Sequence, residues 1–420
     1  MTVVRTRLPE WLATLAFALL LAACGGGGGD NAAAVNNTPS SSTTVATPTA
    51  ADVAVSSNVA AAANVLPVVV DRGIDGNAIN TPYVTITVCQ PGTQLCQDID
   101  HVLVDTGSTG LRLTAAVAGA LGLPAVTTTT GSAIGECAQF ASGFTWGAVR
   151  RADIRLASRT ASNAPIQVIG DPSVPTPPSA CAGTGGSLTA SGAAKGILGV
   201  GLFTQDCGAA CEVSTAPQVY FGCSSSSCVS SRVPVTSQVA NPVSLLDTDN
   251  NGVMLVLPAV PNGGAGRATG ALVLGIGTQG NNQLGSATIF TTDQQGYFRT
   301  VYNGTTYSRS FLDSGSNGFF FHDSNLQACT TSTDFFCPSG AIPLTATQVS
   351  ASGVSREVSF TIESVDALAA GVAGANIGGD AGTGLPQSFD WGLPFFYGRT
   401  VFTAISGAST PAGPGPYWAW

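Results

Sequence analysis

The chain has 420 residues, of which only 9% are charged, with 24 acidic against 15 basic side chains, two histidines and a formal net charge of −9. Its single lysine, Lys195, and sparse arginines leave no basic face to neutralise phosphates, which excludes nucleic acid as a partner. Eleven cysteines in a chain that opens on an apolar run point to an exported protein rather than a reduced cytosolic one.

Arg5 and Arg7 precede the apolar stretch Trp11 to Leu21, and Ala22-Ala23-Cys24 follows. Residues 1–24 therefore read as a secretory signal, too short to span a membrane with ordinary flanks. The ending Leu21-Ala22-Ala23-Cys24 resembles a bacterial lipobox, which implies cleavage before Cys24 and acylation of its sulfur. Gly25 and Gly26 follow with no aspartate, which in Gram-negative lipoproteins implies the outer membrane, on its periplasmic or surface side. Residues 25–64 are Gly, Ala, Ser, Thr, Asn and Val with almost no charge, and so read as a flexible tether. A random coil of about 40 residues reaches about 35 Å, enough to hold a folded body off a bilayer.

The remaining stretch of about 355 residues exceeds what one core usually supports and fits two lobes of about 170 each, here 65–235 and 236–420. Rich in Val, Thr, Ser and Gly, and punctuated by turns, it reads as all-β. Tyr83 to Val88 is an alternating strand, and a second strand, His101 to Val104, delivers Asp105. Thr114 to Gly122 is an Ala-rich helix candidate, and Gly196 to Phe203 an apolar strand interrupted by glycines. Asp247 to Gly252 imitates the start of a calcium loop, but its twelfth position is Pro258 instead of glutamate, so a hairpin turn is expected there. Tyr297 to Tyr302, the turn Asn303-Gly304 and Ser310 to Leu312 form a second hairpin, which delivers Asp313. Asp366 to Ala373 is a second helix candidate, and Trp391 to Tyr397 an apolar strand carrying a glycine.

The two aspartates open matching strings, Asp105-Thr106-Gly107-Ser108 and Asp313-Ser314-Gly315-Ser316. One such string is an ordinary tight turn. Two, each answered downstream by an apolar strand carrying a glycine, suggest one β-module used twice, with a strand sliding beneath each aspartate loop. This pattern resembles the bilobal pepsin-like aspartic peptidases, and within them a group of bacterial lipoproteins with the same paired motifs. The resemblance runs from about Leu66 to Ile405, takes in Ala271 to Gly277 as the Gly-rich strand that opens the second lobe and Arg399 to Phe402 as the terminal strand, and implies two related β lobes with a cleft between them. It implies that Asp105 and Asp313 form a catalytic dyad, and that Thr106 and Ser314 cross-link the two loops beneath it. The chain departs from the family at the hairpin that covers the cleft. Glu136 to Gly143 contains no tyrosine, Phe140 being the nearest substitute, and Arg112 stands where the family has a supporting tryptophan.

Peptide hydrolysis by paired carboxylates needs one ionised, to take a proton from water, and one protonated, to hydrogen-bond the carbonyl. Two neighbouring carboxyls arrange this themselves, because both cannot ionise cheaply. Gly107 and Gly315 let the loops turn sharply, while Ser108 and Ser316 can donate to the carboxylates and orient them. The expected function is an envelope-anchored aspartic-type endopeptidase acting on peptide or protein substrates with water and no cofactor. The rival is a weak or inactive cleft protein that binds peptides or glycans. A structural envelope lipoprotein is a third, weaker reading.

With Cys24 set aside, the ten remaining cysteines pair by spacing and compartment as Cys89–Cys96, Cys207–Cys211, Cys223–Cys228 and Cys329–Cys337, leaving Cys137 for Cys181. No metal site is expected, since the only histidines, His101 and His322, each lie beside a strand and no Cys-x-x-Cys occurs. Two histidines also leave no legible Ser-His-Asp arrangement.

Overall fold

The computed structural model describes residues 50–55, 62–182, 186–187, 193–382, 385 and 387–420. The expected signal segment, Cys24 and most of the expected tether lie outside the described residues. Those tether positions that are described belong to the folded body. Val53–Ala54 pairs in parallel with the strand Ala268–Leu274, and Asn64 is buried with its amide donating to the Leu274 carbonyl at 2.9 Å.

The fold is all-β. Among the described residues the strands make a 17-stranded sheet, a 7-stranded sheet and a 2-stranded ribbon. The larger sheet draws on both segments expected as lobes. Ala268–Leu274 pairs with Val65–Val70 on one side and Gly252–Val256 on the other, and Gly252–Val256 continues to Thr400–Ala404. The smaller sheet lies wholly in the second segment, between Phe298–Tyr302 and Ser388–Trp391.

Both hairpins form as their alternation predicts. Pro82–Cys89 pairs with Cys96–Asp105, burying Val84, Ile86 and Val88 on one face, and Cys89–Cys96 clips the turn. Phe298–Tyr302 pairs with Thr305–Leu312 through Asn303-Gly304, whose φ values of 48° and 74° are those a primed hairpin turn demands. The strand Gly196–Val200 then runs parallel to Cys96–Asp105 and antiparallel to Thr109–Thr114, threading between the two arms of the first aspartate loop. Ser388–Trp391 does the same in the second, parallel to Thr305–Leu312 and antiparallel to Phe319–Phe320. The register sets Gly199 opposite Asp105 and Trp391 opposite Leu312. Close passage explains the glycines: a Cβ on Gly199 would meet the Gly110 nitrogen at 2.8 Å, and one on Gly392 the Ser316 carbonyl oxygen at 2.6 Å.

Beneath the second loop an aromatic stack fills the core. Phe389 lies between Phe321 and Trp391, with ring centroids 4.6 and 4.4 Å apart, and the Trp391 indole donates to the Thr300 hydroxyl at 3.0 Å. Stacked rings bury area and fix geometry at once. All five disulfides join the expected partners.

Four local expectations need adjustment. Thr114 to Gly122 holds a short helix, Ala115–Ala118, and a 3-10 turn, Gly119–Leu121, stopped by Gly122 at a φ of 57°. Asp366 to Ala373 is not a helix beyond the 3-10 turn Val365–Ala367, because Ala373 and Gly374 both donate backbone bonds to the Ala265 carbonyl. Asp247 to Gly252 is a turn, but it leads from the 3-10 helix Pro242–Leu245 into Gly252–Val256 instead of closing a hairpin. Its Asp249 carboxylate takes Arg159 at 2.8 Å and the Thr278 hydroxyl, which uses it as an internal clamp. Trp391 to Tyr397 is likewise split: the strand ends at Trp391 and Leu393–Phe396 coils into a 3-10 turn with Pro394 near its start.

Candidate active site

The two aspartate loops meet back to back and hold each other through their hydroxyls. The Thr106 amide donates to Ser314 Oγ at 3.1 Å and the Ser314 amide to Thr106 Oγ1 at 2.9 Å. Each hydroxyl then donates across to the strand that delivers the other aspartate, Thr106 to the Leu312 carbonyl at 3.1 Å and Ser314 to the Val104 carbonyl at 2.7 Å. Four bonds thus lock two buried residues into a symmetric cross-link. Buried hydroxyls fully paired in this way specify one arrangement of the backbone.

Within each loop the carboxylate is held by its own turn. Asp105 takes the Gly107 amide at 2.8 Å, the Ser108 amide at 3.1 Å and the Ser108 hydroxyl at 2.5 Å. Asp313 takes the Gly315 amide at 2.8 Å and the Ser316 hydroxyl at 2.8 Å. All eight sequence-predicted site residues therefore come together, each where its motif position suggested. The two carboxyls are neighbours, and each lies against the other loop's glycine. A Cβ on Gly107 would stand 2.5 Å from Asp313 Cγ, and one on Gly315 would stand 2.8 Å from Asp105 Cγ.

Burial, and then the neighbouring Asp105 charge, push the Asp313 carboxyl up to about 8. Asp105 receives three donors and Asp313 two, and the raised Asp313 carboxyl keeps the proton of the pair.

Above the pair opens a cavity of about 450 Å³. Leu103, Ile169 and Ile197 make an apolar wall on the first-half side, and Phe320 and Leu385 stand on the other. Phe140 reaches the cavity from the tip of the hairpin formed by Ala133–Phe140 and Gly143–Leu156. Arg112 and Phe140 are in contact, the guanidinium lying 5.7 Å from the ring centroid. Arg112 is buried, bonds Glu136 at 2.7 Å and the Thr109 carbonyl at 2.8 Å, and lies 3.6 Å from Asp206. Asp206 in turn takes the Tyr220 hydroxyl. Two carboxyls thus face one guanidinium. Burial, and then the Glu136 charge, raise the Asp206 carboxyl well above its ordinary range. Glu136 Oε2 and Asp206 Oδ2 have no hydrogen-bond partner, and the raised Asp206 carboxyl keeps its proton.

Sequence reading missed Asp390. It is buried in the strand Ser388–Trp391, lines the same cavity as Asp105 and Asp313, and its Oδ1 has no hydrogen-bond partner. Burial, and then the Asp313 charge, raise this carboxyl well above its ordinary range. Aligning the two glycine strands would have found it, because Asp390 stands two residues before Gly392 as Ile197 stands two before Gly199.

His101 sits beside Asp100 at 2.7 Å and His322 beside Asp380 at 3.1 Å, both in hydrogen-bond contacts near the surface. Among the described residues, the one cluster with metal-ligand spacing is Cys329, Cys337 and Asp366, whose two sulfurs are joined in a disulfide.

Residues 60–420 match the family described as Protein of unknown function (DUF3443), and the chain belongs to that family. No curated protein matches the chain.

Proposed function

We propose that the chain is an aspartic-type endopeptidase of bilobal pepsin-like architecture, with Asp105 and Asp313 as its catalytic pair. The observation that carries this reading is the reciprocal Thr106–Ser314 cross-link, with the two carboxyls side by side at the floor of an open cavity. Asp105, ionised, takes a proton from water as the oxygen attacks the peptide carbonyl carbon. Asp313 gives its proton to the carbonyl oxygen as the tetrahedral diol forms. Collapse of the diol returns a proton to the amide nitrogen, the carbon–nitrogen bond breaks, and acid and amine leave. The cycle restores one proton to the pair. Ser108, Ser316 and the loop amides hold the carboxylates in place throughout, and the chemistry draws on no cofactor.

Arg5, Arg7, the apolar run and Leu21-Ala22-Ala23-Cys24 support export and lipid anchoring at Cys24 to the outer membrane, and five disulfides suit an oxidising compartment. Mass spectrometry of the mature N-terminus tests this, an unmodified terminus elsewhere speaking against the anchor.

Cleavage of denatured proteins by the chain lacking residues 1–24 tests the activity. It should follow a bell-shaped profile on the acid side, since the monoanion exists only between the pair's two macroscopic steps. Asp105→Asn and Asp313→Asn should each abolish it, and the double variant should be no worse. Phe140 favours a second reading, because its ring brings no hydroxyl to the cavity. A folded wild type that retains peptides yet cleaves none would assign the cleft to binding.

A further inference from the structure

The two walls of the cavity are built by the same device but carry different chemistry. In the first half, the position two residues before the threading glycine is Ile197, paired in register with Leu103. In the second half the same position is Asp390, in register with Phe311 on one side and Phe320 on the other. Asp390 is 5% exposed, lines the cavity, and leaves one carboxyl oxygen without a donor. Among the described residues no lysine, arginine or histidine lines the cavity, whereas Asp380 adds a further carboxylate to it. A buried acid that the chain leaves without a cation is costly unless something supplies one.

We propose that Asp390 is a specificity-determining residue that receives a cationic side chain of the substrate, lysine or arginine, so that the bond cut lies between an apolar subsite walled by Leu103, Phe140 and Ile197 and an acidic one floored by Asp390. This rests on the peptidase reading for the cut, though not for the binding. The titratable groups that face Asp390 are Asp313 and Asp105; the strands packed on either side present only Phe311 and Phe320. With both aspartates disfavouring its charge, Asp390 stays protonated until a cation draws the proton off. The preference for a cation therefore strengthens as pH rises.

The test uses peptides identical except at one position, which is lysine or its uncharged isostere norleucine, scanned through the residues on both sides of the cut. Cleavage by wild type, Asp390→Asn and Asp390→Ile is compared at pH 5 and 7. Calorimetric binding to the Asp105→Asn/Asp313→Asn chain, with and without Asp390→Ile, forms a second arm that needs no catalysis. At one position wild type should favour lysine over norleucine by about tenfold, the worth of one charge-assisted hydrogen bond, and more at pH 7 than at pH 5. Asp390→Ile should reverse the preference and Asp390→Asn flatten it and its pH dependence. If wild type cleaves nothing but the binding arm shows the same loss on Asp390→Ile, the cationic subsite stands and the peptidase reading falls. Equal treatment of lysine and norleucine at every position in both arms, or a lysine preference untouched in both Asp390 variants, overturns the proposal. Asp390→Asn preserves shape and keeps the test open should Asp390→Ile misfold.

Discussion

Thr106 and Ser314 each use one hydroxyl both to accept the other's amide and to donate to the strand behind it, so neither loop is complete without the other. Ser314→Ala removes a donor to the Val104 carbonyl and an acceptor for the Thr106 amide, both in buried surroundings. Each orphaned group costs about 1–3 kcal/mol, and Thr106→Val should behave alike. Thr106→Ser and Ser314→Thr keep the hydroxyls and should stay within about 1 kcal/mol of wild type. Denaturant unfolding measures this, and an unchanged midpoint for Ser314→Ala would remove the cross-link from the account.

Gly107 and Gly315 supply a more selective perturbation. Neither needs a left-handed backbone, so alanine is objectionable only through its Cβ, which would press on the opposing carboxyl at 2.5 or 2.8 Å. Gly107→Ala should therefore push Asp313 away from Asp105 while leaving most of the fold unchanged. A displacement near 1 Å costs roughly 100-fold in a positioned reaction. Carboxyl carbon NMR should show Asp313 titrating closer to its ordinary range as its neighbour recedes. Retention of both full activity and the raised Asp313 titration in Gly107→Ala would contradict the contact.

Much of this site was legible because it is made of local turn chemistry repeated twice. Asp-Thr/Ser-Gly-Ser fixes the carboxylate's own hydrogen bonds within four residues, and Gly199 and Gly392 announce a strand passing too close for a side chain. Local disulfides such as Cys223–Cys228 follow from spacing for the same reason. What escaped depends on neighbours far along the chain. Asp390 reads like any polar residue between Phe389 and Trp391, and only the register with Thr305–Leu312 and Phe319–Phe320 turns it into the cavity. The failed helix at Asp366 to Ala373 has the right composition, but Ala265 and Asn80 claim its backbone groups for non-local bonds. Val53–Ala54, inside the expected tether, joins the sheet because the Ala268–Thr269 end of that strand extends past the residues that pair with Gly252–Val256.

Arg112 balances two acids, and removing it should be worse than removing either. Arg112→Met leaves Glu136 and Asp206 facing each other in a buried site, with an expected cost of about 3–5 kcal/mol. Glu136→Gln should cost clearly less, because Asp206 at 3.6 Å can give up its proton and take the guanidinium. The pair of changes should be non-additive, since they share one partner. Thermal or denaturant unfolding of the three variants decides it. A Glu136→Gln chain less stable than Arg112→Met would show that Asp206 does not compensate.

The buried acids set a pH dependence of stability whose sign is unusual for a protein rich in carboxylates. Asp313 is raised to about 8, and Asp206 and Asp390 are raised well above their ordinary range, all first by burial. In each case the folded state holds a proton that the unfolded state has lost. The resulting stabilisation is complete below the unfolded value near 4 and fades as pH climbs through the folded value, by up to about 1.4 kcal/mol per pH unit for each proton retained. Acting the other way, Asp100 is lowered to about 2 by the Lys195 hydrogen bond, and Asp249 is lowered because bonds from Thr278 and Arg159 outweigh its burial. Their contributions are present above the ordinary carboxylate value and vanish as pH falls towards 2. The opposing slopes place maximum stability near pH 4, falling towards neutrality. Urea unfolding with disulfides intact at pH 3, 4, 6 and 8 measures the curve. Asp390→Asn should flatten its neutral limb and leave the chain more stable than wild type at pH 8, because the amide never has to ionise among Asp105, Asp313 and the aromatic stack. A wild type whose stability rises steadily from pH 4 to 8 would mean that these acids are ionised in the folded chain, and the electrostatic account of the site would fall with them.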